Sequence, residues 1–147
     1  MLNCLHQFTA DMKLDFVVFY AAVDEDRALS ISTKIKSYGF SGVLYNDTKS
    51  IDQACDMTRH VLICVSNNIV DDKFLEMKNL IVKKWINGKC FLLIPVYLER
   101  KRDLHDTTME YMYGLLSLNG FHPNSKYFEE DVKKQFLHTL NKTASHE

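Results

Sequence analysis

Acidic side chains follow the first apolar run of the chain almost at once. Residues 16–20 are apolar or aromatic, and Asp24, Glu25 and Asp26 come within six residues of their end. Such acids could hold Mg²⁺ beside a phosphate, as in a phosphoacceptor site of the receiver type, but that chemistry also needs an aspartate at the end of the third strand. The third apolar run ends in Val65 and Ser66 instead. The sequence therefore disfavours phosphoryl transfer.

The other reactive residue types show no spacing typical of a metal or catalytic site. The cysteines lie far apart, at Cys4, Cys55, Cys64 and Cys90, which favours buried reduced thiols, and the six histidines are scattered. Residues 21–24 read Ala-Ala-Val-Asp and lack the glycines and hydroxyls that bind the phosphate of a flavin. We therefore expect neither a metal nor a bound cofactor.

The elements that would position the acids alternate between strand and helix. Apolar runs rich in β-branched and aromatic residues predict strands at 16–20, 43–45, 61–65 and 91–97. Apolar periodicity predicts a first helix that ends at Gly39, a second that begins at a capping box at Ser50, a third at 70–85 and a last at 128–140. Between them, a short helix at 109–116 and a weak strand at 115–121 are expected. This order predicts an α/β, flavodoxin-like doubly wound sheet of about five parallel strands surrounded by helices.

Composition limits the chain to one ordinary globular domain. Its 147 residues carry a net charge of −1, which gives no basic surface for nucleic acid. No run approaches the roughly 20 apolar residues of a membrane helix, and residues 1–13 lack the apolar region of a signal peptide. We expect a cytoplasmic protein with an N-terminal extension at 1–13, a domain at 14–141 and a C-terminal tail at 142–147, either complete or cut from a longer protein.

Four segments resemble, in order, the boxes and strands of the Toll/interleukin-1 receptor (TIR) domain family. They are residues 15–26 (DFVVFYAAVDED), 60–69 (HVLICVSNNI), 91–99 (FLLIPVYLE) and Tyr127-Phe128 with the basic and apolar helix that follows. The resemblance runs from about residue 14 to residue 140. It implies the TIR fold and a cytosolic interaction domain that pairs weakly with its own copies or with other TIR domains in innate-immune or stress signalling.

The loop after the second strand departs from the family pattern. Family members carry an Arg-Asp and a Pro-Gly turn in a long loop, whereas this chain has only residues 46–50 before the second helix. Because the family pairs through that loop, the resemblance implies partner-binding residues here and on the third helix. They are Tyr45, Asn46, Asp47, Thr48, Lys49 and Lys78. The chain is interpreted as an adaptor-like member with a shortened loop.

The third helix also departs from the catalytic pattern of the family. Some TIR domains cleave NAD⁺ with a glutamate four residues after a tryptophan, and aligning Phe74 with that tryptophan places Lys78 at the glutamate position. A cation there cannot stabilise an oxocarbenium ion. Glu76 lies about 200° around the helix from Lys78, and Asp71 projects to the Lys78 side. We therefore predict no catalytic residue, with Glu76 or Asp71 as displaced acid if the chain cleaves NAD⁺.

A third alternative is a domain that binds a nucleotide metabolite without cleaving it. Ligands of open α/β sheets meet the loops at the carboxyl ends of the strands. Those loops predict a pocket wall made of Ala21, Ala22, Asp24 and Ser66. An enzyme needs a carboxylate that faces a cleft, a metabolite sensor needs only a pocket, and an interaction domain needs neither.

Overall fold

Four parallel strands form one sheet in the part of the chain that the structure, a computed structural model, describes: residues 14–46, 51–68, 71–88 and 91–145, with the backbone alone for 139–145. The strands are β1 (Leu14–Phe19), β2 (Gly42–Tyr45), β3 (Thr58–Val65) and β4 (Leu92–Tyr97). Their order in space is β2-β1-β3-β4, and each neighbouring pair is parallel. The predicted flavodoxin-like α/β fold is confirmed.

Helices connect and cover the strands. Within the described ranges they are α1 (Glu25–Ser37), α2 (Ile51–Asp56), α3 (Asp72–Gly88), α4 (Asp106–Tyr111) and α5 (Phe128–Ser145), with short 3₁₀ turns at Ala22–Asp24 and Lys101–Asp103. The first helix ends as the sequence predicts, because Gly39 adopts φ 101°, a conformation that favours glycine after a helix. The predicted cap at Ser50 lies outside the described residues.

The sheet is covered on both faces, which explains why its strands read as continuous apolar runs. One face of β1 and β3 packs against α2 and α3, where Phe74, Met77 and Ile81 are buried as the predicted stripe requires. The other face packs against α1 and α5. Cys55 and Cys64 are buried thiols in these layers, and burial raises the pKa of both, that of Cys55 to about 12.

A single residue stands where the weak fifth strand was expected. Phe121 forms a parallel bridge with Val96, since its N–H donates to Pro95 O at 2.9 Å and its carbonyl accepts from Tyr97 N at 2.9 Å. Residues 112–117 form turns. The expectations of a helix at 109–116 and a strand at 115–121 were therefore wrong in extent: the helix is α4, and the strand is one residue long.

No helix within the described ranges is both long enough and apolar enough to cross a membrane.

Candidate functional site

Asp24 lies buried at the edge of the sheet where β1 and β3 end, with 1% of its surface exposed. Its carboxylate accepts three hydrogen bonds. Ser66 Oγ donates to Oδ2 at 2.5 Å, while Arg27 Nη2 and Asn68 Nδ2 donate to Oδ1 at 2.8 and 3.0 Å. Asp24 is therefore held by two groups from the loop after β3 and by one from helix α1.

The strand register brings these groups together. Phe19 of β1 pairs with Ile63 of β3, so both strands deliver their carboxyl ends to the same edge. After β1 the chain makes a 3₁₀ turn, in which Asp24 N donates to Ala21 O at 2.8 Å and the carboxylate turns inward. Ser66 follows β3 directly, and its Oγ also accepts from Asn68 N at 3.1 Å.

Arg27 extends the contacts to the end of β4. Its Nη1 lies 3.2 Å from Glu99 Oε1, and the other carboxylate oxygen of Glu99 accepts from Asn67 N at 3.0 Å. Partial burial alone would lower the pKa of Arg27, but the hydrogen bonds and charges of Asp24 and Glu99 outweigh it and raise that pKa. We call Asp24, Arg27, Ser66, Asn67, Asn68 and Glu99 the Asp24 cluster.

The side chain of Asn67 connects the Asp24 cluster to the start of α4 through hydrogen bonds. Its side-chain N–H donates to Asp103 O at 3.0 Å, while Oδ1 accepts from His105 N at 2.8 Å and from Thr108 Oγ1 at 3.1 Å. Three segments that are far apart in sequence, residues 24–27, 66–68 and 99–108, are thereby fixed to one another. The main effect of the Asp24 cluster is to hold the loops at this edge in place.

The chemistry open to the Asp24 cluster is limited by its burial. Asp24 and Ser66 are almost fully removed from solvent, and the Asp24 carboxylate already accepts from three donors. Within the described ranges, no group of three or more His, Cys, Asp or Glu side chains could hold a metal ion. The arrangement stabilises structure and keeps the Asp24 carboxylate away from ligands in solution.

The structure brings together two of the residues predicted to line a pocket, because Ser66 donates a hydrogen bond to Asp24. The other two differ from each other in burial. Ala21 is buried and Ala22 is exposed. Sequence reasoning missed Arg27, Asn67 and Glu99. The available signals were the spacing of Asp24 and Arg27 on one side of a helix start and the polar residues after β3 and β4. The role of the predicted residues as a ligand pocket stays a prediction.

The acids of the third helix occupy different positions. Asp71 Oδ1 accepts from Lys73 N at 2.9 Å, and Asp71 O accepts from Leu75 N at 3.0 Å, so Asp71 caps α3. Glu76 is exposed, on the side that helical geometry indicates. Lys78 is half-buried beside the apolar stripe, and burial lowers its pKa.

Only part of the predicted partner-binding loop falls within the described residues. Tyr45 is half-buried and its ring meets that of Phe19 edge-on at 5.5 Å. Asn46 Oδ1 is buried and has no hydrogen-bond partner among the described residues. Asp47, Thr48 and Lys49 lie outside them.

A cleft of about 520 Å³ separates α2 from α3 near that loop. Its lining includes Ile51, which directly follows the loop, and Leu80 and Lys83 of α3. Leu80 is 41% exposed, and Ile86 on the same helix is 59% exposed. Lys84 crosses the cleft to Asp56 at 3.0 Å and to Asp52 at 3.5 Å. We call the lining residues of this cleft the α2–α3 surface; it combines an exposed apolar side chain, Leu80, with the charged side chains of Lys83, Lys84 and Asp52.

Neither a protein-family model nor a curated protein matches the sequence. Two solved structures resemble the fold. One holds the TIR domains of the activated Roq1 resistosome directly recognizing the pathogen effector XopQ. The two sequences are 12% identical, the TM-score is 0.54, and the match covers 87% of this chain and 99% of that one. The other is a CheY-like response regulator receiver domain protein from Methanospirillum hungatei JF-1. The two sequences are 10% identical, the TM-score is 0.55, and the match covers 92% of this chain and 100% of that one. Identities this low establish the fold alone.

Proposed function

We propose that the chain is a TIR-like interaction domain that self-associates weakly, or pairs with other TIR domains, as an adaptor in innate-immune or stress signalling. One observation carries the proposal. Ile51, the residue after the predicted pairing loop, lines the same cleft as Leu80 and Lys83 of α3. The residue that follows the loop and the third helix, which the resemblance implicates separately, therefore line the same cleft.

The exposed side chains of that surface suit weak pairing. Leu80 offers apolar area to a partner, and Lys83 adds an exposed charge at the same surface. Interfaces derive most of their affinity from a few such apolar contacts, with charges at the rim that set orientation. A surface of this size and mixed character favours association that depends on high local concentration.

The two resembling structures favour different functions, and the residues of this chain help to choose between them. Phosphoacceptor chemistry needs an aspartate where β3 ends, and this chain has Ser66 there. The buried acid at that edge among the described residues, Asp24, accepts hydrogen bonds from Ser66, Arg27 and Asn68. These contacts support the TIR-like interpretation over the receiver type.

NAD⁺ cleavage is the competing proposal within the TIR family. Asp71 accepts a hydrogen bond from Lys73 N at the start of α3, and Glu76 is exposed. Both observations support interaction over catalysis. The test is nicotinamide release by the purified chain at high concentration, with Glu76→Ala and Asp71→Ala beside it. Turnover that one substitution abolishes would replace the interaction proposal with an enzymatic one.

The direct test of pairing is sedimentation equilibrium over a wide concentration range. We expect Leu80→Asp to weaken self-association by at least about tenfold, since it places a charge in an apolar contact. Leu29→Asp is the matched control, because Leu29 is a 53% exposed leucine on α1. Equal weakening by both variants would contradict the role of the α2–α3 surface. A parent chain that stays monomeric up to about 1 mM, the effective concentration of a short tether, would contradict self-association.

A further inference from the structure

A second cleft, of about 570 Å³, lies between β4, the segment before and after Phe121, and α5. Apolar side chains at its base include Ile94 and Phe121. It shares no lining residue with the α2–α3 surface. Its volume is in the range of sites that bind small molecules.

The charged lining of this cleft is mostly basic. Lys101 comes from the 3₁₀ turn after β4, and Lys134 comes from α5. The lining also includes the imidazoles of His122 and His138 and one acid, Asp131. The chain as a whole carries a net charge of −1. A concave site with this local excess of cations attracts anions.

Two basic residues of the cleft lining, Lys101 and His122, contact the buried ring of Tyr97. Lys101 Nζ lies 5.0 Å from the ring centroid and donates to Leu116 O at 3.3 Å. The His122 ring stacks on Tyr97 at 5.0 Å with 13° between the planes. Two of the basic groups are thus held on one rigid residue before any ligand arrives, which lowers the entropy cost of binding.

Gly120 lies in the segment that lines one side of the cleft. A Cβ at Gly120 would lie 2.5 Å from Tyr97 Cε2 and 2.6 Å from Pro95 O. Only a residue without a side chain lets the segment lie this close to β4 and lets Phe121 bridge to it. Gly120 therefore lets the segment that lines this side of the cleft pack closely against β4.

We propose that this cleft binds a phosphorylated small molecule, with the phosphate between Lys101 and Lys134. A phosphate monoester carries close to two negative charges at neutral pH and three acceptor oxygens. That matches two ammonium groups and the neighbouring imidazole N–H donors better than the single charge of a carboxylate does. The proposal is independent of TIR-type pairing, since the residues involved are different.

The test is an NMR titration of the whole chain with sodium pyrophosphate, compared with NaCl at equal ionic strength. We expect saturable shifts at Lys101, His122 and Lys134 with pyrophosphate and none with NaCl. Lys101→Ala and Lys134→Ala should each weaken binding about tenfold, as loss of a charge-assisted contact implies. Lys133→Ala is the matched control, because Lys133 neighbours Lys134 on α5 but pairs with Glu129 at 2.8 Å.

A second arm of the test compares adenosine monophosphate with adenosine. Shifts at the same residues with the phosphorylated compound alone support the proposal. Equal binding of both compounds would overturn the role of the phosphate. Shifts that NaCl reproduces, or an equal loss of affinity in Lys133→Ala, would overturn the site itself.

Discussion

Asp24 shows at the scale of one residue how burial decides the role of a carboxylate. A charged group removed from water is tolerated only where hydrogen bonds replace its hydration, and Asp24 receives them from Ser66, Arg27 and Asn68. The exposed pair Lys133–Glu129 has a similar distance, 2.8 Å, but water screens it. Removing a partner of Asp24 should therefore cost far more stability than removing a surface charge.

Ser66→Ala should lower the free energy of unfolding by about 1.5 to 3 kcal/mol, because it deletes a hydrogen bond to a buried charge and leaves one carboxylate oxygen without its donor. Urea denaturation measures the change. Ser30→Ala, at an exposed position of α1, should change stability by less than about 0.5 kcal/mol. Similar values for both variants would contradict the structural role of the Asp24 cluster.

His60 should make the protein sensitive to acid. Its Nδ1 lies 2.9 Å from Asp15 O and its ring stacks on Phe136 at 4.1 Å. Burial lowers its pKa from 6.5 to about 4, against the opposing effect of the Asp15 carbonyl. The unfolded chain therefore binds the proton first as the pH falls, so stability is complete above about pH 6.5 and declines toward pH 4 by up to about 1.4 kcal/mol per pH unit.

Urea denaturation between pH 7.5 and pH 5 measures this slope. His60→Gln is the control, because it removes the titrating ring from the core; it should flatten the slope over that range even where it lowers stability at pH 7.5. A parent chain and a His60→Gln variant with the same pH slope would show that other groups govern the acid response.

At the residue scale, the sequence could point to Asp24 and Ser66 because both directly follow apolar strands. It could not show that they would bond to each other, since that depends on the register of β1 against β3. Glu99 and Asn67 could be noted as polar residues after β4 and β3, but their contacts could not be predicted for a similar reason. Their partners come from other elements, and no local spacing reveals a contact across 32 residues.

At the scale of elements, strong periodicity and end signals were sufficient to predict α1 and α3. The stripe of Phe74, Met77 and Ile81 spans about two turns, and Gly39 ends α1. The six residues of α4 carry no such pattern. Contacts from elsewhere fix it, because Thr108 is buried and donates to Asn67 Oδ1. Tertiary contacts of this kind override the weak preferences of a short segment.

The single-residue bridge of Phe121 should depend on Gly120. In Gly120→Ala the added methyl group would meet Pro95 O at 2.6 Å, so the segment must move away from β4. We expect the N–H groups of Tyr97 and Phe121 to lose protection from hydrogen exchange. Gly114→Ala is the matched control, since a Cβ there meets nothing within 4 Å. Unchanged protection in Gly120→Ala would contradict the close approach.

At the scale of the whole molecule, the fold by itself does not choose a function. The same α/β arrangement resembles TIR domains and a receiver domain at nearly equal TM-scores, as expected of a fold that supports many activities. The distinction lies in residues placed on the fold, namely Ser66 at the end of β3 and the exposed Leu80 and Ile86 of α3. Prediction of function therefore has to be tested on surfaces rather than on architecture.

Tethering two copies of the chain should bring the α2–α3 surface into contact with a partner. A short flexible linker to a dimeric coiled coil raises the effective concentration to about the mM range, enough to occupy an interface too weak to form between separate chains. The net charge of −1 adds little repulsion between copies. We expect the NMR amide signals of Leu80 and Lys83 to shift in the fusion relative to the isolated chain. The fusion with Leu80→Asp should show no such shift, whereas Leu29→Asp should behave as the parent fusion does. Signals of α3 that are identical in the fusion and the isolated chain would mean that pairing uses another surface.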